Sequence, residues 1–360
     1  MDREALKIAF LAEHGLAGAR REMLAGDAST RRYERLHRPG GTSLIFMDQP
    51  PVESAPCPPG ATPEERRAAG YNAMARLAAG RVDAFICTAT WLHGQGLSTP
   101  EVIAHDAEAG LAVLEDLGDD LYAALIAGGA DEGPLYDAAM DALAAIHAAP
   151  PPAVLSAPGA SWPLLTYDEL ALATGGEMFL EWWPKYAGLP AFSADAVAEW
   201  DALWAPIRAR GEAGASVFCH RDYHAENLIW LPGRRGAARV GMLDFQDALR
   251  AHPAWDVSML LHDGRRDVSP EREAAALARY FDLKPEVDRA RFLADYHALG
   301  ALNSARILFI FARQVAGYGR PKYEAFMPRM WRYLDRCLAD PELAAIKAWF
   351  DRNIPPEARR

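Results

Sequence analysis

Apolar residues recur along the chain with two periodicities, one typical of helices and one typical of strands. Near the N-terminus, Ala5, Ile8 and Leu11 fall at helical spacing and predict a helix within residues 2–25. Short apolar or alternating runs further on have the composition of strands. These runs cover residues 33–37, 42–47, 102–104 and 111–115. Beyond residue 120 helical spacing dominates, so the patterns predict a mixed first part followed by a mainly helical remainder.

Two short apolar runs near the middle of the chain hold the clearest chemical pattern. The first, 218–230, contains Asp222 and Asn227, and the second, 240–247, contains Asp244. The Gly- and Arg-rich segment between them predicts a hairpin. Phosphoryl transfer from ATP needs one carboxylate to accept the proton of the acceptor hydroxyl, and oxygen ligands to hold Mg²⁺. We therefore expect Asp222 to be the catalytic base, and Asn227 and Asp244 to be the metal ligands.

The spacing H-x-D-x-H-x-x-N from His220 to Asn227, followed by Leu-Asp-Phe around Asp244, resembles the aminoglycoside phosphotransferase family. Ordinary turns also use such polar groups, but the two motifs at this separation favour phosphotransfer. The resemblance covers most of the chain and implies an α+β, two-lobed protein-kinase-like fold. It implies a small mixed N-lobe with an antiparallel sheet at 1–116 and a large, mainly helical C-lobe at 117–360. ATP and Mg²⁺ are the implied cofactors.

The resemblance also gives structural roles to His220 and Asp256. His220 opens the catalytic loop. Asp256 matches a family aspartate that is buried behind this loop and accepts hydrogen bonds from its backbone. We therefore expect Asp256 to be buried and bonded to N–H groups in the 220–223 region.

Nucleotide contacts are implied in two further segments. The loop of small residues before the first predicted strand matches, by position, the loop that covers the phosphates, through Ser29, Thr30 and Arg31. A solvent-facing hairpin turn is the alternative. Glu115 and Leu117 match the hinge whose backbone groups bond adenine in this family, and an ordinary strand-to-helix loop is the alternative.

One strand departs from the family pattern. The third strand usually carries a lysine that reaches the phosphates and pairs with a helical glutamate, but Met47 or Asp48 stands at that place here. The lysine–glutamate pair is therefore not expected in this chain. Arg31 or Arg32 could supply the missing positive charge from the preceding loop, although exposed arginines are common on turns.

Candidate acceptor contacts come from two helical segments. Arg306 and Arg313 share one helix face with Asn303 and Ile310, which gives a cationic stripe. Such a stripe suits a carboxylate-bearing acceptor and would repel a polycationic aminoglycoside, whereas surface ion pairs are the alternative. Trp183 lies in an aromatic segment and could cover the apolar face of a sugar ring, with ordinary packing as the alternative.

Composition narrows the class of protein. Of 360 residues, 51% are hydrophobic and 24% charged, which excludes general disorder. No apolar run approaches the ~18 residues that span a bilayer, and the acidic, amphipathic N-terminus is unlike a signal peptide, so we expect a cytoplasmic protein. The four cysteines have no C-x-x-C spacing, which disfavours disulfides and zinc. A net charge of −11 disfavours a nucleic-acid partner.

The expected function is ATP-dependent transfer of the γ-phosphoryl group to a sugar hydroxyl. The chain most resembles bacterial kinases of cell-wall recycling that act on the anomeric hydroxyl of N-acetylmuramate and N-acetylglucosamine. This resemblance rests on the loop 26–33, the lysine-free third strand and the Leu-Asp-Phe-Gln-Asp-Ala sequence at 243–248. An aminoglycoside or choline-type kinase is one alternative, and an inactive kinase-like binding module is another because the lysine is missing. The pattern does not give the oligomeric state.

Overall fold

The computed structural model describes residues 2–24, 31–50 and 57–359, and its N-terminal part is built on one antiparallel sheet. The strands of this sheet are β1 (Arg20–Met23), β2 (Arg32–His37), β3 (Ser43–Asp48), β4 (Val102–Asp106) and β5 (Leu111–Glu115). They lie in the order β1-β2-β3-β5-β4, and neighbours are antiparallel. Three two-stranded pairs follow: β6 (Val154–Ala157) with β7 (Ala160–Pro163), β8 (Val217–Cys219) with β11 (Leu249–Ala251), and β9 (Leu228–Trp230) with β10 (Val240–Met242).

Helices make up most of the chain after the sheet. They are α1 (Arg3–Glu13), α2 (Pro63–Ala69), α3 (Tyr71–Met74), α4 (Val82–Gly94), α5 (Tyr122–Ala127), α6 (Glu132–Ala148), α7 (Glu169–Ala187), α8 (Ala194–Ala213), α9 (Ala254–Leu261), α10 (Pro270–Leu283), α11 (Arg289–Ala316), α12 (Met327–Cys337) and α13 (Ala344–Asn353). Several begin at residues that satisfy free backbone N–H groups. Asp168, Ser193 and Ser269 each accept a hydrogen bond from the first turn of α7, α8 and α10.

Two cores share the N-terminal sheet. On one face Phe10 and Leu11 of α1 pack against Leu36, Phe46 and Val113 in a small separate core. The other face joins the main core of the helical part through β3, β5 and α4. The 28-residue α11 runs through that main core and packs against α7, α9 and α12. The helical part is therefore built around α11, and the sheet rests on it through its second face.

The predicted α+β class, with an antiparallel N-terminal sheet and a mainly helical remainder, is confirmed. The first helix is shorter than predicted. It ends at Glu13, because Gly15 adopts φ 71°, a left-handed conformation that ends helices, and residues 20–23 then form β1. Across the described ranges, each helix is too short or too polar to cross a bilayer.

The division at residue 116 stays a prediction. The sheet does end at Glu115, at the end of β5. However, the segment with α2 and α3 packs on the helical part, where Asp168 accepts hydrogen bonds from Arg66 at 2.5 Å and Arg76 at 2.7 Å. Residues 63–76 therefore lie against the helices, although the predicted division assigns them to the N-lobe.

Candidate functional site

Asp256, in α9, fixes the loop that follows β8. Its carboxylate is 0% exposed and accepts the backbone N–H of His220 at 2.6 Å and of Arg221 at 2.8 Å, which are the contacts expected from the sequence. Burial raises the pKa of Asp256, against the opposing effects of His220 and these donors. Arg221 adopts φ 78°, which a non-glycine residue keeps only where its surroundings impose it. These contacts fix the backbone directly before Asp222.

Asn227 and Asp244 lie side by side at the open end of the β9–β10 hairpin. The N–H of Leu243 donates to the carbonyl of Asn227 at 2.9 Å, which brings the two segments together. The Nδ2 of Asn227 donates to the carbonyl of Asp222 at 2.9 Å, so its Oδ1 is the amide atom available to a cation. Asp244 adopts φ 59°, and its side chain is 42% exposed. Asp222 and Asp244 line one cavity of about 170 Å³, which we call the catalytic cavity.

Arg31 brings a positive charge to this cavity from the loop before β2. Its guanidinium donates to Oδ1 of Asp244 at 2.5 Å and to Oε1 of Gln246 at 2.6 Å. Burial alone would raise the pKa of Asp244, but Arg31 and Gln246 hold it below its ordinary value. Arg31 therefore neutralises a carboxylate that was predicted to bind metal. Ser29 and Thr30, the other predicted contacts of this loop, lie outside the described residues.

The third strand has no group that reaches the site. Met47 is fully buried in the main core, and the carboxylate of Asp48 pairs with Arg3 of α1 at 2.5 Å. Of the two residues at the position of the family lysine, Met47 thus packs in the core and Asp48 holds α1. Arg32, the second candidate for the missing charge, is exposed on β2, so of the two candidates Arg31 is the one that contacts Asp244.

The predicted hinge is tied to the hairpin that carries the metal-ligand candidates. Oε1 of Glu115 accepts a hydrogen bond from Arg234 at 2.5 Å, and Arg234 also donates to the hydroxyl of Ser98 at 2.7 Å. Leu117 packs on Gly241 of β10, where an added Cβ would lie 3.0 Å from its Cδ1. The structure therefore places Glu115 and Leu117 beside the hairpin, at the junction between sheet and helices.

Arg306 of α11 lines the catalytic cavity together with Asp222 and Asp244. Its aliphatic stem lies against Gly175 of α7, where an added Cβ would lie 2.8 Å from Cγ of Arg306. Its guanidinium donates to Oδ1 of Asn303 at 3.2 Å. Among the described residues no acidic side chain forms an ion pair with Arg306. For Arg306, the alternative of a surface ion pair with a described acid is therefore not supported.

Arg313, two helical turns further along α11, is surrounded by rings. Its guanidinium carbon lies 5.3 Å from the ring centroid of Tyr318, 5.8 Å from that of Trp182 and 5.9 Å from that of Tyr71. Its Nη2 donates to the hydroxyl of Tyr318 at 2.8 Å. It too has no acidic ion-pair partner within the described part of the chain. The two arginines thus lie in different surroundings, although they share one helix.

The assignment of Trp183 to the acceptor is wrong. Its side chain is 0% exposed and packs between Phe179, at 5.6 Å between ring centroids, and Trp331, at 5.0 Å. A ring enclosed on both sides has no face left for a sugar. Trp183 is a core residue of α7, which was the alternative interpretation of the aromatic segment.

His224 belongs to the cavity, although its chemical role did not follow from the sequence. Its Nε2 lies 3.2 Å from Nη1 of Arg265 and 3.3 Å from Nδ2 of Asn227. Burial, together with the charge of Arg265, lowers the pKa of His224 to about 4. The ring is therefore neutral at pH 7, and Nε2 accepts from both donors. Arg265 and its neighbours after α9 also line the cavity, and no local sequence signal marks them.

These features define a kinase-like phosphotransferase: an antiparallel sheet over a helical part, a buried aspartate behind the catalytic loop, and an amide–carboxylate pair beside the predicted hinge. Residues 21–293 match the profile of the phosphotransferase enzyme family, also written APH, and the chain belongs to that family. The predicted family is thereby confirmed.

Relatives of known activity match over most of their length. The chain is 68% identical, over all of its own length and 99% of the relative's, to the N-acetylmuramate/N-acetylglucosamine kinase of Caulobacter vibrioides. It is 30% identical to the protein of the same name from Pseudomonas aeruginosa, over 89% of this chain and 85% of that one.

Solved structures with the same fold include a choline kinase and a gentamicin complex. The choline kinase LicA from Streptococcus pneumoniae matches with a TM-score of 0.54 and 16% identity, over 95% of this chain and 99% of that one. The gentamicin complex of APH(2″)-IIa matches with a TM-score of 0.53 and 13% identity, over 95% and 98%. At such identities the likeness shows the fold alone, and it confirms the predicted kinase-like fold.

Proposed function

We propose that this protein is an ATP-dependent sugar kinase that phosphorylates the anomeric hydroxyl of N-acetylmuramate and N-acetylglucosamine in cell-wall recycling. The observation that carries the proposal is the 68% identity, over the full length, to a kinase of that name. Asp222, Asn227 and Asp244 are all present and brought together, which disfavours an inactive binding module.

Asp222 acts as the base. It accepts the proton of the acceptor hydroxyl as the oxygen–phosphorus bond forms and the bond from the γ-phosphorus to ADP breaks. His220 and Asp256 act structurally, because Asp256 holds the loop directly before the base through the backbone N–H groups of His220 and Arg221. The positions of these residues support the assignment, since an aspartate fixed by its neighbours loses little freedom when the acceptor binds.

Asn227 and Asp244 fit Mg²⁺. Both offer oxygen atoms, which this hard cation prefers, and Oδ1 of Asn227 is available because Nδ2 is already bonded. Within the described ranges no group of three or more His, Cys, Asp or Glu side chains is placed to hold a metal. That agrees with a cation that takes its other ligands from phosphates and water. When bound, Mg²⁺ neutralises charge on the phosphates.

The nucleotide lies between the loop before β2 and the predicted hinge. Arg31 supplies the positive charge that the missing lysine gives elsewhere in the family, since its guanidinium already reaches Asp244. Ser29 and Thr30 complete this loop, and the backbone at Glu115 and Leu117 faces the adenine. The tie from Glu115 through Arg234 to the hairpin supports this placement, because it holds the hinge beside the metal-ligand pair.

Arg306 favours a carboxylate-bearing or neutral sugar over the alternative acceptors. Its guanidinium lines the same cavity as Asp222, and within the described part of the chain no acid forms an ion pair with it. A cation in that position repels the polycation of an aminoglycoside and the quaternary ammonium of choline. It can donate charged hydrogen bonds to oxygen atoms of either sugar.

Turnover of a panel of acceptors tests the proposal. The protein is incubated with ATP, Mg²⁺ and N-acetylmuramate, N-acetylglucosamine, kanamycin or choline, and ADP release and the ³¹P NMR spectrum are recorded. We expect turnover of the two sugars with a phosphate on the anomeric carbon. Asp222→Asn should bind ATP normally but lose about 10²–10⁴-fold in kcat. Asp282→Asn, at an exposed aspartate, is the matched control. Turnover of kanamycin or choline alone would overturn the acceptor assignment.

A further inference from the structure

A second cavity of about 460 Å³ adjoins the catalytic cavity, and we call it the distal cavity. Tyr71, Arg313, Tyr318 and Arg320 are among its lining residues. Ile310 of α11 lines both cavities, so they meet at this side chain. A ligand in the catalytic cavity can therefore extend along α11 into the distal cavity.

The lining of the distal cavity suits an anion. It contains the guanidinium groups of Arg313 and Arg320, and its described lining residues include no Asp or Glu. Tyr318 accepts a hydrogen bond from Arg313, and Gln314 accepts one from Arg320 at 3.1 Å. Both arginines are thus held by neutral groups, which orient them without cancelling their charge. The rings of Tyr71 and Tyr318 add apolar surface beside the charge.

The spacing along α11 sets the length of the ligand. Arg306 and Arg313 are seven residues apart, which corresponds to about 10 Å along a helix. Arg306 lies with the base Asp222, where the reacting hydroxyl binds. A group that reaches Arg313 must therefore project from the sugar on the side away from that hydroxyl. N-acetylmuramate has such an arm, the lactyl ether, whereas N-acetylglucosamine has none.

We propose that the distal cavity is a subsite for the anionic arm of the acceptor. Its ligand is a carboxylate on the lactyl side of N-acetylmuramate, either the lactyl carboxylate itself or the terminal carboxylate of a short peptide joined to it. This inference rests on the proposed function. Arg313 binds the carboxylate, and Tyr71 and Tyr318 cover the apolar part of the arm. N-acetylglucosamine does not fill the subsite, because it has no such arm.

Steady-state kinetics with three acceptors tests the subsite. Wild type, Arg313→Ala and Arg313→Lys are assayed with N-acetylglucosamine, N-acetylmuramate and N-acetylmuramyl dipeptide, and dipeptide binding is also measured by calorimetry. We expect Arg313→Ala to raise KM or Kd by about 10- to 100-fold for a carboxylate-bearing acceptor, the value of a charged hydrogen bond. KM for N-acetylglucosamine and kcat should stay within about twofold, and Arg313→Lys should restore part of the loss because it keeps the charge.

The pattern of losses identifies the source of the carboxylate. A loss with N-acetylmuramate assigns the lactyl carboxylate to Arg313, and a loss with the dipeptide alone assigns the peptide carboxylate. Arg332→Ala, at an exposed arginine paired with Asp267, is the control and should change neither. Equal losses with all three acceptors, or no loss with any, would overturn the subsite. Absence of wild-type turnover with both sugars would instead overturn the proposed function.

Discussion

The carboxylate of Asp244 has a protein cation, Arg31, beside it. Arg31 donates to it at 2.5 Å, and Gln246 donates to the same oxygen at 2.9 Å. This is the charge that a phosphate-bound Mg²⁺ would otherwise neutralise. Exchange of one cation for the other costs less than exposing a bare carboxylate, because the site remains close to neutral throughout. At the scale of one residue, the loop and the metal pair are therefore coupled through charge.

Removal of either proposed metal ligand should weaken the Mg²⁺ dependence of nucleotide binding. We expect Asn227→Ala and Asp244→Ala each to reduce ATP affinity in the presence of Mg²⁺ by at least about 10-fold, since metal-site substitutions cost that much even one shell further out. Affinity in EDTA should change little. Calorimetry with and without Mg²⁺ measures both values. If neither variant alters the difference between the two conditions, the metal assignment fails.

Asp256 acts through the backbone, so its removal should show in stability. Asp256→Ala leaves the N–H groups of His220 and Arg221 without their buried acceptor. We expect the free energy of unfolding to fall by about 1–3 kcal/mol, measured by urea denaturation. Asp256→Asn keeps one acceptor oxygen and should lose less, and Asp282→Ala at the surface should lose nothing. An unchanged midpoint for Asp256→Ala would contradict the structural role.

At the scale of elements, the catalytic cavity depends on how closely α7 approaches α11. Gly175 lies under the stem of Arg306 and lets the two helices pack with the arginine between them. A side chain on α7 at this point would meet Cβ, Cγ and Cδ of the arginine. The glycine thus sets the direction of Arg306 without contacting any ligand.

Gly175→Ala should therefore change acceptor binding before it changes nucleotide binding. The new methyl group displaces the stem of Arg306, and we expect KM for N-acetylmuramate to rise several-fold while KM for ATP stays the same. Gly94→Ala is the matched control, because an added Cβ there meets open space. Steady-state kinetics of both variants, with N-acetylmuramate and with ATP as the varied substrate, test this prediction. Equal effects on the two substrates would indicate a general loss of packing instead.

The sequence best predicted the functional groups that lie close together along the chain. Asn227 and Asp244 flank one hairpin and Asp222 lies in the loop directly before it, so their spacing alone was enough to group them. The long helix α4 was not predicted, because its residues from Val82 to Ala89 are all buried. Such a helix lacks the alternation of apolar and polar faces by which a surface helix is recognised in a sequence. Trp183 was misjudged for a related reason, since helical spacing does not tell whether an aromatic face meets solvent or core.

The cavity itself could be predicted only in part. Arg306 was found because helical spacing placed it on a face with Arg313, yet nothing local brought it to Asp222. Their placement on one cavity depends on α11 crossing the main core against α7 and α9. The residues after α9 that line the cavity lie at an ordinary helix end, so they become part of the site only through tertiary packing.

At the scale of the whole molecule, buried neutral histidines link folding to pH. His147 donates to or accepts from the hydroxyl of Tyr280 at 2.8 Å in the helical core, and burial lowers its pKa to about 3. His224 in the catalytic cavity has its pKa lowered to about 4. Both residues titrate near 6.5 in an unfolded chain. The unfolded protein therefore binds more protons than the folded one below that pH.

Stability should consequently fall as pH drops below about 6.5 and should be constant above it. A group whose pKa is lower in the folded protein contributes its full stability at pH values above its unfolded pKa. That contribution is lost as the pH falls toward the folded pKa, so each histidine adds a slope of about 1.4 kcal/mol per pH unit between about pH 6 and pH 4. Glu273, whose pKa is about 2 because hydrogen bonds from His262 and Tyr296 outweigh burial, adds its own loss only below about 4.5. Urea denaturation between pH 5 and 8 therefore avoids the contribution of Glu273. His147→Gln should flatten the slope, whereas His14→Gln at the surface should not. A stability that is level from pH 8 to 5 would show that the buried histidines are not held neutral.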